Sequence, residues 1–322
     1  ASHALFNAIL APAAPALASK RLLVVRDDIL NYIPFEALVT SLPGDGSDRP
    51  ANFASLAYFV RGHEVAYAPS ATVIAAIRRE HTAQAQAHGA LIIGDPVFDS
   101  HDPRAKGQPE ATPSESAARD LLLTSFVTGE QSSGTAGPAS EGSVNSGQVA
   151  PASGAAGKIP RLPATRAEST SIAKIIKQSG SPADLWLDLK ANESDLLASD
   201  LRHYRFIHLA THGLLNAEHP QFSGLVLSLV GNPPGRDGFL RTQEIFNLRL
   251  GAPVVMLSAC KTGLGRIRKG EGLIGLTRAF MYAGATTVGV SLWPVDDNST
   301  AELMTDFYGR LQGTKRDTSA AA

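Results

Sequence analysis

The sequence predicts an α/β protein with a mainly parallel sheet and helices on both faces. Three observations predict it. Short apolar, β-branched runs recur at Ala90-Leu-Ile-Ile-Gly-Asp95, Phe206-Ile-His208-Leu-Ala-Thr211, Pro253-Val-Val-Met-Leu-Ser258 and Thr286-Thr-Val-Gly-Val-Ser-Leu-Trp293, and each reads as a buried strand. Stretches with apolar residues at helical spacing separate most of them, and that alternation calls for a parallel sheet. Two of the runs end abruptly, one in His212-Gly213 and the other in Ala-Cys260-Lys-Thr-Gly263, as strands do when they deliver a side chain to a tight loop.

In chain order, residues 4 to 19 read as a short helix broken at Pro12 and Pro15, followed by a strand at Arg21–Arg26. Ile33-Pro-Phe-Glu-Ala-Leu38 has helical spacing, with Pro34 at a plausible first position. Glu64–Ala68 reads as a strand, and Ser70 as the cap of a helix to about Glu80. From about 101 to 161 the composition changes. One helical patch, Ser114 to Leu123, interrupts a Gly/Ser/Ala-rich stretch that buries too little apolar area to offset its chain entropy. A long flexible insertion is expected there, first of all a solvated loop with no role of its own, with proteolysis at the accessible basic residues Lys158, Arg161 and Arg166 as the lesser alternative.

Order returns with a helix over Ala167–Gln178, a strand at Trp186–Lys190 and a helix capped by Asn192. Gly224–Val230 and Gly238–Arg241 look like a β-ribbon around Gly-Asn-Pro-Pro-Gly. A helix over Gly272–Ala283 and a last one capped by Ser299 complete the pattern.

Composition narrows the classes. A chain of 322 residues with 43% apolar content supports a full core. A net charge of -1 gives no field for nucleic-acid backbone or anionic lipid, and no apolar run reaches the length of a membrane span. One cysteine and no charged-then-apolar leader suggest a reducing, cytoplasmic setting. The opening Ala-Ser-His and closing Thr-Ser-Ala-Ala-Ala read as the ends of a piece cut from something longer.

Cysteine attacks as the thiolate, and imidazole is its usual activator. If the strands ending at His212 and Cys260 are adjacent and parallel, the two side chains meet at the carboxyl edge where open α/β sheets bind ligands. Gly213 allows close backbone approach, and its N–H with that of Cys260 would serve an oxyanion. The competing interpretation is a buried structural thiol beside a core histidine. His208 shares a strand face with His212, but it lies between Ile207 and Leu209 and reads as packed core. Asp296 and Asp297 follow another strand end. Either lines a pocket for a basic side chain, or both are helix N-terminal acids. No hydrolase elbow, zinc-helix motif, phosphate loop or paired Cys/His spacing is present. The Gly270-Glu-Gly272-Leu-Ile-Gly275 run follows its strand too late for a dinucleotide fingerprint, so no metal, nucleotide or other cofactor is assigned.

Taken together, Leu-Ala-Thr-His212-Gly213, Ser223-Gly-Leu-Val-Leu-Ser228, Leu-Ser-Ala-Cys260-Lys-Thr-Gly263, Gly270–Leu276 and Ala283–Asp296 resemble the CHAT domain, as do Ile33–Leu38, Tyr67–Ser70 and Ile92–Pro96 upstream. That is a caspase-like cysteine peptidase module, related to separase and often found with tetratricopeptide repeats. The resemblance implies a degenerate N-terminal half over 1–100, an insertion over 101–162, a catalytic half over 163–312 and a disordered tail over 313–322. It further implies a His212 and Cys260 dyad, an oxyanion hole at Gly213 and Cys260, and Asp297, with Asp296, selecting Arg or Lys before the scissile bond. The partners implied are a protein substrate and a regulatory repeat region outside this chain. By family analogy alone, the setting is a bacterial defence or cell-death system. A binding module that keeps the fold without turnover is the competing expectation.

Overall fold

The computed structural model describes residues 1–17, 21–26, 30, 33–42, 53–80, 87–108, 159–214, 223–251, 253–258, 271–291 and 295–313. The chain divides into two compact units, Ala1–Ala85 with Thr314–Ala322, and Gln86–Gly313.

In the first unit, helix α1 (Ser2–Ile9) passes into a 3-10 stretch at Ala11–Ala16. Strand β1 (Arg21–Val25) pairs parallel with β4 (Glu64–Ala68), and β2 (Val39–Ser41) pairs antiparallel with β3 (Ala57–Tyr58). Helix α2 (Ala71–Glu80) follows, and the Ser70 hydroxyl accepts the Val73 N–H at 3.1 Å, as its capping role requires. The expected helix at 33–38 is a single 3-10 turn, Phe35–Ala37, because Pro34 and Leu38 are both extended and confine it.

The second unit is built on a five-stranded sheet in the order β12-β11-β7-β5-β6, with every pairing parallel. Its strands are β5 (Ala90–Pro96), β6 (Ala183–Asp188), β7 (Phe206–Ala210), β11 (Val254–Ser258) and β12 (Thr287–Val290). Strands β8 (Gly213–Leu214), β9 (Gly224–Val226) and β10 (Phe239–Arg241) form a separate antiparallel sheet. Helices α3 (Ala164–Gln178), α4 (Glu193–Ala198), α5 (Thr242–Phe246), α6 (Glu271–Tyr282) and α7 (Asp297–Gly313) complete the unit.

Alternation along the strands sorts side chains between two cores. Leu91, Ile93, Ile207, Leu209, Val255 and Leu257 join α4, α5 and α6 on one face. Ala90, Ile92 and Phe206 join Ile172, Ala173 and Ile176 of α3 and Tyr308 of α7 on the other. Ile172 and Ile176 are fully buried, each contributing about 1.5–3 kcal/mol. The close seat of α3 depends on Gly94, where a Cβ would lie 2.1 Å from Ser169 Oγ.

Two boundaries differ from expectation. Strand β5 is hydrogen-bonded on both edges within the parallel sheet, so the N-terminal unit ends near residue 85 rather than 100. The outer parts of the expected insertion also belong to the fold. Ala105, Ile159 and Leu162 are buried, while 109–158, including the helical patch at 114–123, lies outside the described residues. The tail from 314 lies outside them too.

Candidate active site

Strands β7 and β11 are neighbours, and Ala210 is in register with Ser258. His212 comes two residues after Ala210 and Cys260 two residues after Ser258. The parallel register brings the carboxyl ends of β7 and β11 to one edge of the sheet, where β7 leads into His212. Cys260, with 259–270, lies outside the described residues.

His212 is 5% exposed. Its Nε2 is 2.7 Å from the Pro160 carbonyl oxygen. A carbonyl can only accept, so Nε2 carries the proton, and in the neutral ring Nδ1 carries the lone pair. The Phe98 ring lies against the imidazole, with centroids 5.3 Å apart. Ile159, Phe98, Leu214 and Val226 form an apolar cluster around this corner.

The backbone is held as firmly. Val226 N–H donates to the His212 carbonyl at 2.9 Å, and the Thr211 hydroxyl donates to the Val226 carbonyl. That pattern makes Gly213 and Leu225 a non-hydrogen-bonded antiparallel pair, in which the Gly213 N–H is directed away from β9.

His208, as the apolar flanks suggested, is entirely buried. Its Nε2 is 3.0 Å from Glu168 Oε1 of α3, and Tyr308 Oη is 3.4 Å from its Nδ1. The Ser258 hydroxyl donates to the same Glu168 oxygen, so one carboxylate joins β7 to β11 just below their carboxyl ends. Burial, reinforced by the Glu168 charge, pushes the Tyr308 hydroxyl pKa up.

A second polar cluster closes the ends of β5 and β6. The Asp95 carboxylate is fully buried and accepts Arg161 Nε at 2.8 Å, Arg161 Nη2 at 2.7 Å and Arg166 Nε at 2.7 Å. Arg104 Nη1 lies 3.0 Å from it and also donates to Asp188 at 2.9 Å, while Arg104 Nη2 donates to Asp102 at 2.6 Å. Burial raises the Asp95 pKa, but the guanidiniums of Arg161, Arg166 and Arg104 more than offset it and leave the carboxyl below its usual range. Asp95 and Asp188 adopt φ of 47° and 55°, a left-handed conformation that is uncommon outside glycine and turns both strand ends into this cluster. The guanidiniums of Arg161 and Arg166 are thus both engaged with carboxylates.

The acids after β12 divide. Asp296 is exposed and caps α7, its Oδ1 accepting Ser299 N–H at 3.0 Å, so the cap expected of Ser299 belongs to Asp296. Asp297 is partly buried, and its Oδ2 accepts the Ala164 N–H at 2.9 Å at the start of α3. The short segment 160–164 therefore meets His212, Asp95 and Asp297 in turn. Sequence reasoning missed Pro160, Asp95 and Arg104. The only local trace was the Gly94-Asp95-Pro96 break at a strand end.

Among the described residues, no group of three His, Cys, Asp or Glu side chains is arranged to hold a metal, and no helix is long and apolar enough to cross a membrane.

The CHAT domain family model matches residues 1–322. The chain belongs to the CHAT domain family. CHAT domains are caspase-like and related to cysteine peptidases, and the parallel sheet with helices on both faces agrees with that assignment. Mouse tetratricopeptide repeat protein 28 is 38% identical over 86 residues, 27% of this chain and 4% of that protein. The human protein of the same name is 34% identical over 79 residues, 24% of this chain and 3% of that protein. The chain thus spans a small part of the length of these curated relatives.

Proposed function

We propose that this CHAT domain is a cysteine endopeptidase that cleaves a protein substrate after Arg or Lys. Cys260 is the nucleophile and His212 its base. The observation that carries this is the His212 ring, whose Nε2–H is fixed on the Pro160 carbonyl at 2.7 Å, at the end of a strand in register with the one that leads to Cys260. Nδ1 is then the basic nitrogen. It takes the thiol proton, and the thiolate adds to the substrate carbonyl carbon. The oxyanion of the tetrahedral intermediate is met by the N–H groups of Gly213 and Cys260. The intermediate collapses to a thioester as the imidazolium returns its proton to the departing amine. Water, deprotonated by His212, then releases the acid and restores the thiol.

Asp297, with Asp296 beside it, supplies negative charge for a basic side chain before the scissile bond. Mouse and human tetratricopeptide repeat proteins as relatives favour control by a repeat region or repeat-containing partner.

The test is a fluorogenic peptide series varied at the residue before the scissile bond, run on the wild type, Cys260→Ala and Asp297→Asn, with and without candidate repeat partners. Release after Arg and Lys that is absent in Cys260→Ala and weakened in Asp297→Asn is expected. Cleavage retained in Cys260→Ala refutes the mechanism, and cleavage after other residues refutes the pocket. Binding of a repeat partner with no turnover identifies a non-catalytic module instead.

A further inference from the structure

We propose that Arg161 and Asp95 form a positioning clamp for His212, acting through the Pro160 carbonyl. This rests on the peptidase reading above and concerns how its base is kept in one orientation. Neither residue touches a reacting atom.

The clamp is assembled from both sides of Pro160. On one side Ile159 is buried among Phe98, Leu214 and Val226. On the other, the Arg161 guanidinium makes two parallel hydrogen bonds to Asp95, at 2.8 and 2.7 Å, a fork geometry that fixes direction as well as distance. Proline's ring restricts φ between these two holds. The carbonyl they aim is the one that accepts from His212 Nε2.

The far end of the clamp is itself rigid. Asp95 ends β5, which neighbours β7 with Gly94 in register with Ala210, and its own N–H is held by Thr165 Oγ1 at 3.1 Å. Arg104 and Arg166 hold the same carboxylate from the 104 turn and from α3. Of these three arginines, Arg161 alone directly follows the residue that touches His212. The other two share its charge and its partner, which makes them controls for a purely structural role.

A misdirected Pro160 carbonyl leaves Nε2–H poorly paired, and the cost is greatest when the ring is an imidazolium. The thiolate–imidazolium pair then loses ground to thiol and neutral imidazole. Removing the Arg161 fork should therefore raise the apparent pKa of Cys260.

The full chain has one cysteine, so iodoacetamide alkylation followed by intact mass reports Cys260 directly. Rates across pH 4 to 9 would be measured for the wild type, His212→Ala, Arg161→Gln, Arg161→Lys and Arg166→Gln. We expect a His212-dependent alkylation plateau at low pH in the wild type. In Arg161→Gln the profile moves up by about one pH unit, roughly a tenfold loss of thiolate below the transition. Arg161→Lys, which keeps the charge but not the fork, moves it less and in the same direction. Arg166→Gln melts earlier than the wild type but keeps its alkylation profile. Superposable profiles for Arg161→Gln and wild type, or for Arg161→Lys if the glutamine variant does not fold, overturn the clamp. So does an equal shift in Arg166→Gln. A wild-type profile typical of an ordinary thiol and unchanged in His212→Ala is a separate failure, that of the peptidase reading itself.

Discussion

Replacing Glu168 with alanine is expected to destabilise the parallel-sheet unit by about 4 kcal/mol. Glu168 Oε1 accepts from both His208 Nε2 and Ser258 Oγ, and the side chains of Glu168 and His208 are fully buried. Alanine leaves two buried donors without an acceptor, at about 1–3 kcal/mol each, and a cavity in place of the carboxylate. Glutamine isolates the charge from the geometry. Its Oε1 can accept both hydrogen bonds, and its amide nitrogen would occupy the position of Oε2, which is buried without a hydrogen-bond partner. Loss of the carboxylate's desolvation cost then offsets most of the change, and Glu168→Gln should lie within about 1 kcal/mol of wild type. For a unit of this size about 2–4 °C accompanies each kcal/mol, so thermal unfolding followed by circular dichroism should fall by roughly 8–16 °C for alanine and by under about 4 °C for glutamine. Equal losses in the two variants, or an alanine loss under about 2 °C, would show that the carboxylate does not join the two strands energetically.

Three further outcomes are expected. Arg104, by hydrogen bonding, holds the Asp102 carboxyl down to about 2, below its unfolded value near 3.9, so the unfolded chain binds more protons between those values. The Asp102 contribution to stability is therefore present above about pH 4 and lost as pH falls toward 2. The urea midpoint should drop less between pH 5 and pH 3 in Asp102→Asn than in wild type, and equal drops refute the assignment. Gly94→Ala should cost about 1–3 kcal/mol in urea unfolding, because the added Cβ meets Ser169 Oγ; adding Ser169→Ala should recover part of it, and no recovery counts against that contact. Asn192 caps α4 by accepting the Asp195 N–H at 2.7 Å, and Asn192→Ala should lower stability by about 1 kcal/mol, with a smaller loss for Asn192→Asp.

The parallel strands were legible because a buried strand announces itself locally. The expected strand at 64–68 is β4 residue for residue, and the runs at 90–95 and 206–211 differ from β5 and β7 by one residue at one end. Helix starts were less legible where the cap comes from elsewhere in the chain. Helix α3 begins at Ala164 rather than at the expected 167, because Pro163 already has helical φ and ψ and the Ala164 N–H is met by Asp297, far away in sequence. The strand expected at 186–190 begins earlier, at Ala183, and ends at Asp188, where φ turns positive. Around the site, the His212-Gly213 pattern marked a candidate base, but its acceptor lies at the far end of a compositionally plain stretch. Nothing periodic links Pro160 to His212, or Asp95 to Arg161 and Arg166, which lie 66 and 71 residues away. Such contacts arise from topology, and a window moved along the sequence never contains both partners.

The Asp95 cluster also has a topological consequence. Arg104 precedes the stretch 109–158 and Arg161 follows it, and both guanidiniums end on the same carboxylate. The chain on either side of that stretch is therefore closed at its base by the folded unit itself. Each doubling of a closed loop's length costs only about 0.6 kcal/mol. The carbonyl that faces His212 is thus held from residues on the folded unit, by contacts that do not involve the stretch between them.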